Sequence, residues 1–122
     1  MLNKAILIGR LTRDPELRST SNDISVTSFT VAVDRNFTNQ QGEKETDFIP
    51  VVAWRKLAET CAKYLAKGRL VAVSGRMQVR SYEGKEGKRN ITEVVADEVQ
   101  FLEKAESKEK FVEVEDNVEL PF

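Results

Sequence analysis

Apolar residues recur along this chain in two rhythms, one of period two and one of helical period. Asn3 to Leu11 (Asn-Lys-Ala-Ile-Leu-Ile-Gly-Arg-Leu) is a strand by length and β-branched content. Gly9 within it predicts a bend or bulge of the kind small curved barrels need. Thr12 to Asp23 is polar, contains Asp14-Pro15 and reads as a loop. Ser25 to Val33 is a second strand, with Phe29, Val31 and Val33 on one face and Phe29 in the core. Phe37 to Thr46, polar with a single Gly42, reads as a long hairpin connection. Asp47 to Trp54 is the third strand. Pro50 has no N–H to donate, so an unpaired stretch or a bulge is expected there.

The rhythm then changes. Leu57, Ala58, Cys61, Ala62 and Leu65 fall at helical spacing across Arg55 to Lys67, with Glu59 early, Lys63 and Lys67 late, and Gly68 as the stop. Cys61 lies on the apolar stripe, which makes it a packed thiol. Two further strands follow, Leu70 to Tyr82 and Ile91 to Leu102, joined by the net basic, glycine-punctuated loop Glu83 to Asn90. The order β-β-β-α-β-β predicts an all-β OB-fold, a partly open five-stranded Greek-key barrel with one helix between strands three and four. An SH3-like barrel lacks that helix, and a ferredoxin-like fold needs a helix directly after the first strand. Residues 1–104 form this domain, and 105–122, with no turn or strand signal, read as a short flexible acidic tail.

Composition narrows the chemistry. The chain has 122 residues, 40% apolar and 32% charged, which suits one domain with a small core. No apolar run reaches the roughly 20 residues of a membrane helix, and the N-terminal residues lack a signal-peptide pattern, so a cytoplasmic protein is expected. One cysteine and no histidine remove internal disulfides, cysteine-cluster metal sites and most hydrolase triads. Asp97 and Glu98 are neighbours that point to opposite faces of a strand, and Asp14 with Glu16 is weak evidence for a cation. No phosphate-cradling glycine loop is present. No enzyme activity, metal or cofactor is expected. The net charge of −1 divides unevenly: residues 1–104 carry 17 Lys and Arg against 14 Asp and Glu, while 105–122 carry 2 against 6. A mildly basic body suggests an anionic partner, and the acidic tail a different one.

Single-strand nucleic-acid binding needs flat aromatic platforms for bases and cations for phosphates. Phe48 and Trp54 are six apart in one strand and share a face, and Phe37 leaves strand two. Tyr82 ends strand four on the same side as Arg76, Gln78 and Arg80, while Val71, Val73, Met77 and Val79 take the other. Arg35, Arg55 and Lys56 flank the other aromatics, and Lys85, Lys88 and Arg89 populate the loop. Aromatics interleaved with cations outside the core pattern favour a nucleic-acid interface. Phe29, Tyr64 and Phe101 are assigned to packing.

Longer stretches carry a resemblance. Leu2-Asn3-Lys4-Ala5-Ile6-Leu7-Ile8-Gly9-Arg10-Leu11-Thr12-Arg13-Asp14-Pro15-Glu16-Leu17-Arg18 resembles the start of bacterial single-stranded DNA-binding proteins. So do Asp47-Phe48-Ile49 with Trp54-Arg55-Lys56-Leu57-Ala58-Glu59, Tyr64-Leu65-Ala66-Lys67-Gly68 and Thr92-Glu93-Val94-Val95-Ala96. The tip Glu119-Leu120-Pro121-Phe122 is similar to the acidic, Pro-Phe-terminated tip of that family. The resemblance implies a nucleoid-associated homotetramer that wraps single-stranded DNA in replication, recombination and repair. It implies stacking at Phe37, Phe48, Trp54 and Tyr82, and phosphate contacts at Lys56, Lys67 and Arg80. It further implies a subunit contact at Ile49 and recruitment of partner enzymes by the tip. Pro50 stands where many relatives carry a DNA-contacting cation, and only Lys104 to Val118 precedes the tip where relatives often have a long linker. The rival reading is an OB-fold protein-interaction adaptor that keeps the tail and has little DNA affinity.

Overall fold

A computed structural model of the chain describes residues 1–102; the tail and its tip lie outside the described residues. The elements run β1 (Ala5–Leu11), β2 (Glu16–Ser19), β3 (Ser25–Thr38), β4 (Lys44–Trp54), α1 (Arg55–Tyr64), β5 (Leu70–Gly84) and β6 (Gly87–Phe101). Strands pair in the order β1-β5-β6-β4-β3-β2, and an additional β1–β3 pairing closes five of them into a barrel. This is the expected OB-fold, with α1 following β4. The short β2 is an addition outside the barrel.

Closure depends on β1 changing neighbours. It runs antiparallel to β5 from Ala5↔Gly75 to Arg10↔Leu70, then joins β3 at Arg10↔Ala32 and Leu11↔Val31. A Cβ on Gly9 would run into the carbonyl oxygen of Ala32 and the side chain of Val31. Gly9 therefore serves close approach of two backbones, and no bulge forms there, since β1 pairs through it without a slip. The exit of β1 is held by Leu11 on both backbone groups: its N–H donates to Arg69 O at 3.1 Å and its carbonyl accepts from Gly68 N–H at 2.8 Å. At the entry, the Asn3 side-chain amide donates to Met77 O and accepts from Met77 N–H, both at 2.9 Å, which adds a rung to the β1–β5 ladder.

One side of each barrel strand fills the interior. Val31, Val51, Val71 and Val73 are fully buried, with Leu11, Phe29, Ala53, Val94 and Ala96 around them. Burial of a side chain this size contributes about 1.5–3 kcal/mol. The helix closes one end of the barrel, inserting Ala58 and Cys61, with Leu65 just beyond. Burial pushes the Cys61 thiol up to about 11, so it stays protonated and inert at neutral pH.

Several boundaries differ from the sequence-based ones. Residues Glu16–Ser19 form β2 within the expected loop, because the edge of β3 below its β1 contacts offers free hydrogen-bonding groups at Ser25 to Ser28. Strands β3 and β4 extend into the expected connection, leaving a tight turn in which Asn39 Oδ1 accepts from the N–H of Gln41 and of Glu43, both at 2.9 Å. Strands β5 and β6 pair as far as Gly84↔Gly87, so the expected basic loop is mostly ladder with Lys85 and Glu86 at its turn. Gly87 there has φ 110°, a conformation open to glycine. Helix α1 stops at Tyr64, short of Lys67, and has no acidic residue in its first turn; Glu59 instead accepts from the Ser25 hydroxyl at 2.9 Å. Pro50 interrupts only one side: Thr30↔Pro50 pairs in register, whereas pairing to β6 is confined to Val51 and Val52.

Gly9→Ala is expected to lower stability by about 3 kcal/mol, the upper end for overpacking, because the obstacle is backbone and cannot rotate away. An unchanged urea midpoint would refute the closure argument.

Candidate nucleic-acid interface

Barrel closure turns alternate residues of β4 outward. Ile49, Val51 and Ala53 go toward the core, so Phe48, Pro50, Val52 and Trp54 share the outer side, opposite Ala32, Thr30, Ser28 and Val26 of β3. Phe48 is 65% and Trp54 41% exposed, and six residues of strand set them about 20 Å apart. A groove of about 430 Å³ lies on this outer face, with Ser28, Thr30, Pro50, Val52, Arg80 and Glu93 among its lining. The expected pairing of Phe48 and Trp54 on one face is thus present. Phe37 is carried by β3, and its side chain lies outside the described residues.

On β5, Arg76, Gln78, Arg80 and Tyr82 alternate with Met77 and Val79. Their side of the β5–β6 ladder is continued by Ile91, Glu93 and Val95 of β6. Tyr82 is 42% exposed, beyond the barrel on the projecting β5–β6 arm. Arg76 donates to Gln78 Oε1 at 3.1 Å, and Arg80 Nε donates to Glu93 Oε2 at 2.9 Å. Val71 and Val73 take the core side as expected, whereas Met77 and Val79, further along the same side, are exposed.

The remaining cations fall into three groups. Arg55 and Lys56 open α1 directly after Trp54 and are exposed, Arg55 in the left-handed region at φ 61°. Lys67 is exposed, and its backbone N–H donates to Asp14 Oδ1 at 2.8 Å, which ties it to a residue on the rim of the groove. Lys85 and Lys88 are exposed at the tip of the arm, away from the groove.

Arg35 differs from all of these. Its Nη2 and Nε donate to Asp47, with the shortest contact 2.9 Å, and its Nη1 donates to Glu45 at 2.8 Å. The clasp spans the register shift between Asp34 and Thr38, so it holds together the irregular part of the β3–β4 hairpin. The hydrogen bond to Asp47, followed by attraction to Asp47 and Glu45, raises the Arg35 pKa, and the same bond lowers that of Asp47.

Arg13, Arg18 and Glu93 also line the groove, and none was singled out for it from sequence. Arg13 and Arg18 lie in or beside the β2 segment read as loop, where alternation assigns no face. Glu93 shares the parity of Ile91 and Val95 within the expected strand, and that alternation was the signal available for it. Phe29 is buried as expected, whereas Tyr64 and Phe101 are half-exposed and pack on each other, with ring centroids 6.0 Å apart. Among the described residues no helix is long and apolar enough to cross a membrane.

A sequence model of the Single-strand binding protein family matches residues 2–102. A single-stranded DNA-binding protein of Caldanaerobacter subterraneus subsp. tengcongensis is 62% identical over 104 residues, covering 84% of this chain and 69% of the relative. Single-stranded DNA-binding protein 1 of Staphylococcus aureus strain MSSA476 is 61% identical, covering 84% and 67%. Single-stranded DNA-binding protein 2 of S. aureus strain COL is 62% identical, covering 84% and 75%.

The clasp has a pH signature. Because Asp47 titrates below its ordinary 3.8, its contribution is complete above that value and is lost as the pH falls through the lower folded one. An NMR titration is expected to place Asp47 below 3.8 in the wild type and to return it toward that value in Arg35→Ala; the same midpoint in both would refute the pairing.

Proposed function

This chain belongs to the single-strand binding protein family, and from that premise we propose that it binds single-stranded DNA without regard to base sequence and without catalysis. The observation that supports this most is the outward row of β4. Phe48 and Trp54 are exposed on one face, and a groove on that face is lined by Arg13, Arg18 and Arg80. An aromatic face accepts any base, and each stacked base is worth about 1–3 kcal/mol. Duplex DNA hides its base faces, and that supplies the selectivity for single strands.

In this reading Phe37, Phe48, Trp54 and Tyr82 stack bases, while Arg55, Lys56, Lys67, Arg76, Arg80, Lys85 and Lys88 meet phosphates. Arg35 reaches a phosphate only by exchanging its carboxylates for it. Each neutralised phosphate of a single strand steepens the salt dependence of binding by about 0.7 in log–log slope. The assembly is a homotetramer, a reading supported by exposed Ile6, Ile8, Met77 and Val79 and by an apolar groove of about 430 Å³ around Ile49. The protein acts in the bacterial cytoplasm, at the nucleoid, in replication, recombination and repair. The segment Glu119, Leu120, Pro121 and Phe122 recruits partner proteins, with Leu120 and Phe122 as apolar anchors and Glu119 suited to a basic pocket.

Truncating Trp54 and Tyr82 together to Ala is expected to weaken oligo-dT binding by about 2–6 kcal/mol with the circular dichroism spectrum unchanged. Unaltered affinity in the folded double variant would remove the stacking assignment. Deleting Leu120 to Phe122 is expected to abolish capture of partner proteins while leaving DNA affinity intact, and a truncated chain that captures the same proteins would contradict the role of the tip.

A further inference from the structure

Glu93 is a carboxylate set in an apolar stretch of β6, followed by buried Val94, Val95 and Ala96, and is itself only 4% exposed. A carboxylate so far out of water is stable in its charged form only with a partner. That partner is Arg80, whose Nε donates to Oε2 at 2.9 Å. The ladder pairs Gln78↔Glu93 and Arg80↔Ile91, so the two side chains meet diagonally across one face of the β5–β6 ribbon. The Arg80 side chain is 51% exposed, and both residues line the groove on the outer face.

The guanidinium has two donor edges, and the pair occupies one of them. Arg35 has Nε, Nη1 and Nη2 all engaged by carboxylates, which leaves little for a ligand. Arg80 is bonded to protein through Nε alone among the described residues, so its Nη donors remain available at the groove. A long arginine side chain otherwise loses rotamer freedom when it docks on a phosphate, and a side chain already pinned through Nε loses less. Among the described residues the Glu93 side chain bonds only to that of Arg80, and it is far the more buried of the two.

We propose that Glu93 is a positioning residue of the DNA interface, holding Arg80 by Nε so that its Nη donors meet a strand phosphate in the groove. The inference rests on the reading of this chain as a single-strand DNA binder, and it adds a buried acid to an interface otherwise described by aromatics and cations.

The test is a double-mutant cycle read by oligo-dT affinity at several salt concentrations, using Glu93→Ala and Glu93→Gln, each alone and with Arg80→Ala. Glu93→Ala is expected to weaken binding about three- to tenfold, and its salt slope to fall toward that of Arg80→Ala. Glu93→Gln keeps an acceptor for Nε and is expected to stay within about twofold of wild type. In the Arg80→Ala background neither change should matter. Tighter binding in either single variant would mean that the carboxylate competes with phosphate for Arg80, and equal losses with and without Arg80 would make Glu93 merely structural. Either result overturns the proposal. If Arg80→Ala alone binds like wild type, the positioning role falls while the DNA-binding reading stands; if the wild type does not bind oligo-dT, that reading itself fails. Should Glu93→Ala not fold, the Arg80 Nε–H resonance of the free wild type decides. A downfield, slowly exchanging signal that shifts in Glu93→Gln is expected, and a fast-exchanging one identical in both overturns the assignment.

Discussion

One strand, β1, has to serve two neighbours, and most of the molecule follows from that. It leaves β5 at Arg10 and continues onto β3 within two residues, which brings the backbones at Gly9 and Ala32 closer than any side chain at Gly9 allows. A similar approach recurs at Gly75, where a Cβ would meet the carbonyl of Val95, beside the slip in the β5–β6 ladder. With these contacts the sheet closes, and each strand acquires an inside and an outside. Val31, Val51, Val71 and Val73 then have no water to face, while Phe48 and Trp54, one parity step away on β4, have no core to join. The aromatic face is a consequence of closure, since the alternation that fills the barrel is the one that leaves these rings outside.

Charge on that face is sorted by neighbours more than by count. Arg35 is neutralised within its hairpin by Asp47 and Glu45 and acts mechanically, bracing the irregular end of β3 against β4. Arg80 is half-engaged, anchored from below by Glu93. Lys56, Lys85 and Lys88 stand exposed, and a flexible lysine stem suits contacts that follow a flexible backbone. A chain whose formal net charge is −1 can therefore still offer exposed cations beside its aromatic face, and in the proposed reading base stacking supplies the part of the affinity that salt does not screen.

Much of this was legible in the sequence because it depends on local alternation. The core sides of β3 and β4, the apolar stripe Ala58–Cys61–Leu65 and the shared face of Phe48 and Trp54 all follow from spacing within one element. What was not legible depends on register between elements. The short β2 has no apolar alternation and exists because β3 has a free edge. The Arg35–Asp47 and Arg80–Glu93 contacts join residues 12 and 13 apart whose meeting is decided by how two strands pair. Tyr64 and Phe101, assigned to packing from sequence, do pack, but on each other where α1 and β6 finish, and they stay half-exposed because that contact depends on where two elements end. The family resemblance supplied Lys67, which alternation could not have picked out of a turn.

In the proposed reading the outer face of β4 carries a single strand, and Trp54, the only tryptophan in the chain, reports on it directly. Its fluorescence can be followed while the protein is titrated with oligo-dT and with a duplex of equal length, at low and high salt. Strong quenching by the single strand alone, with affinity falling as salt rises, is the expected result. Absence of both quenching and binding at low salt would contradict the account.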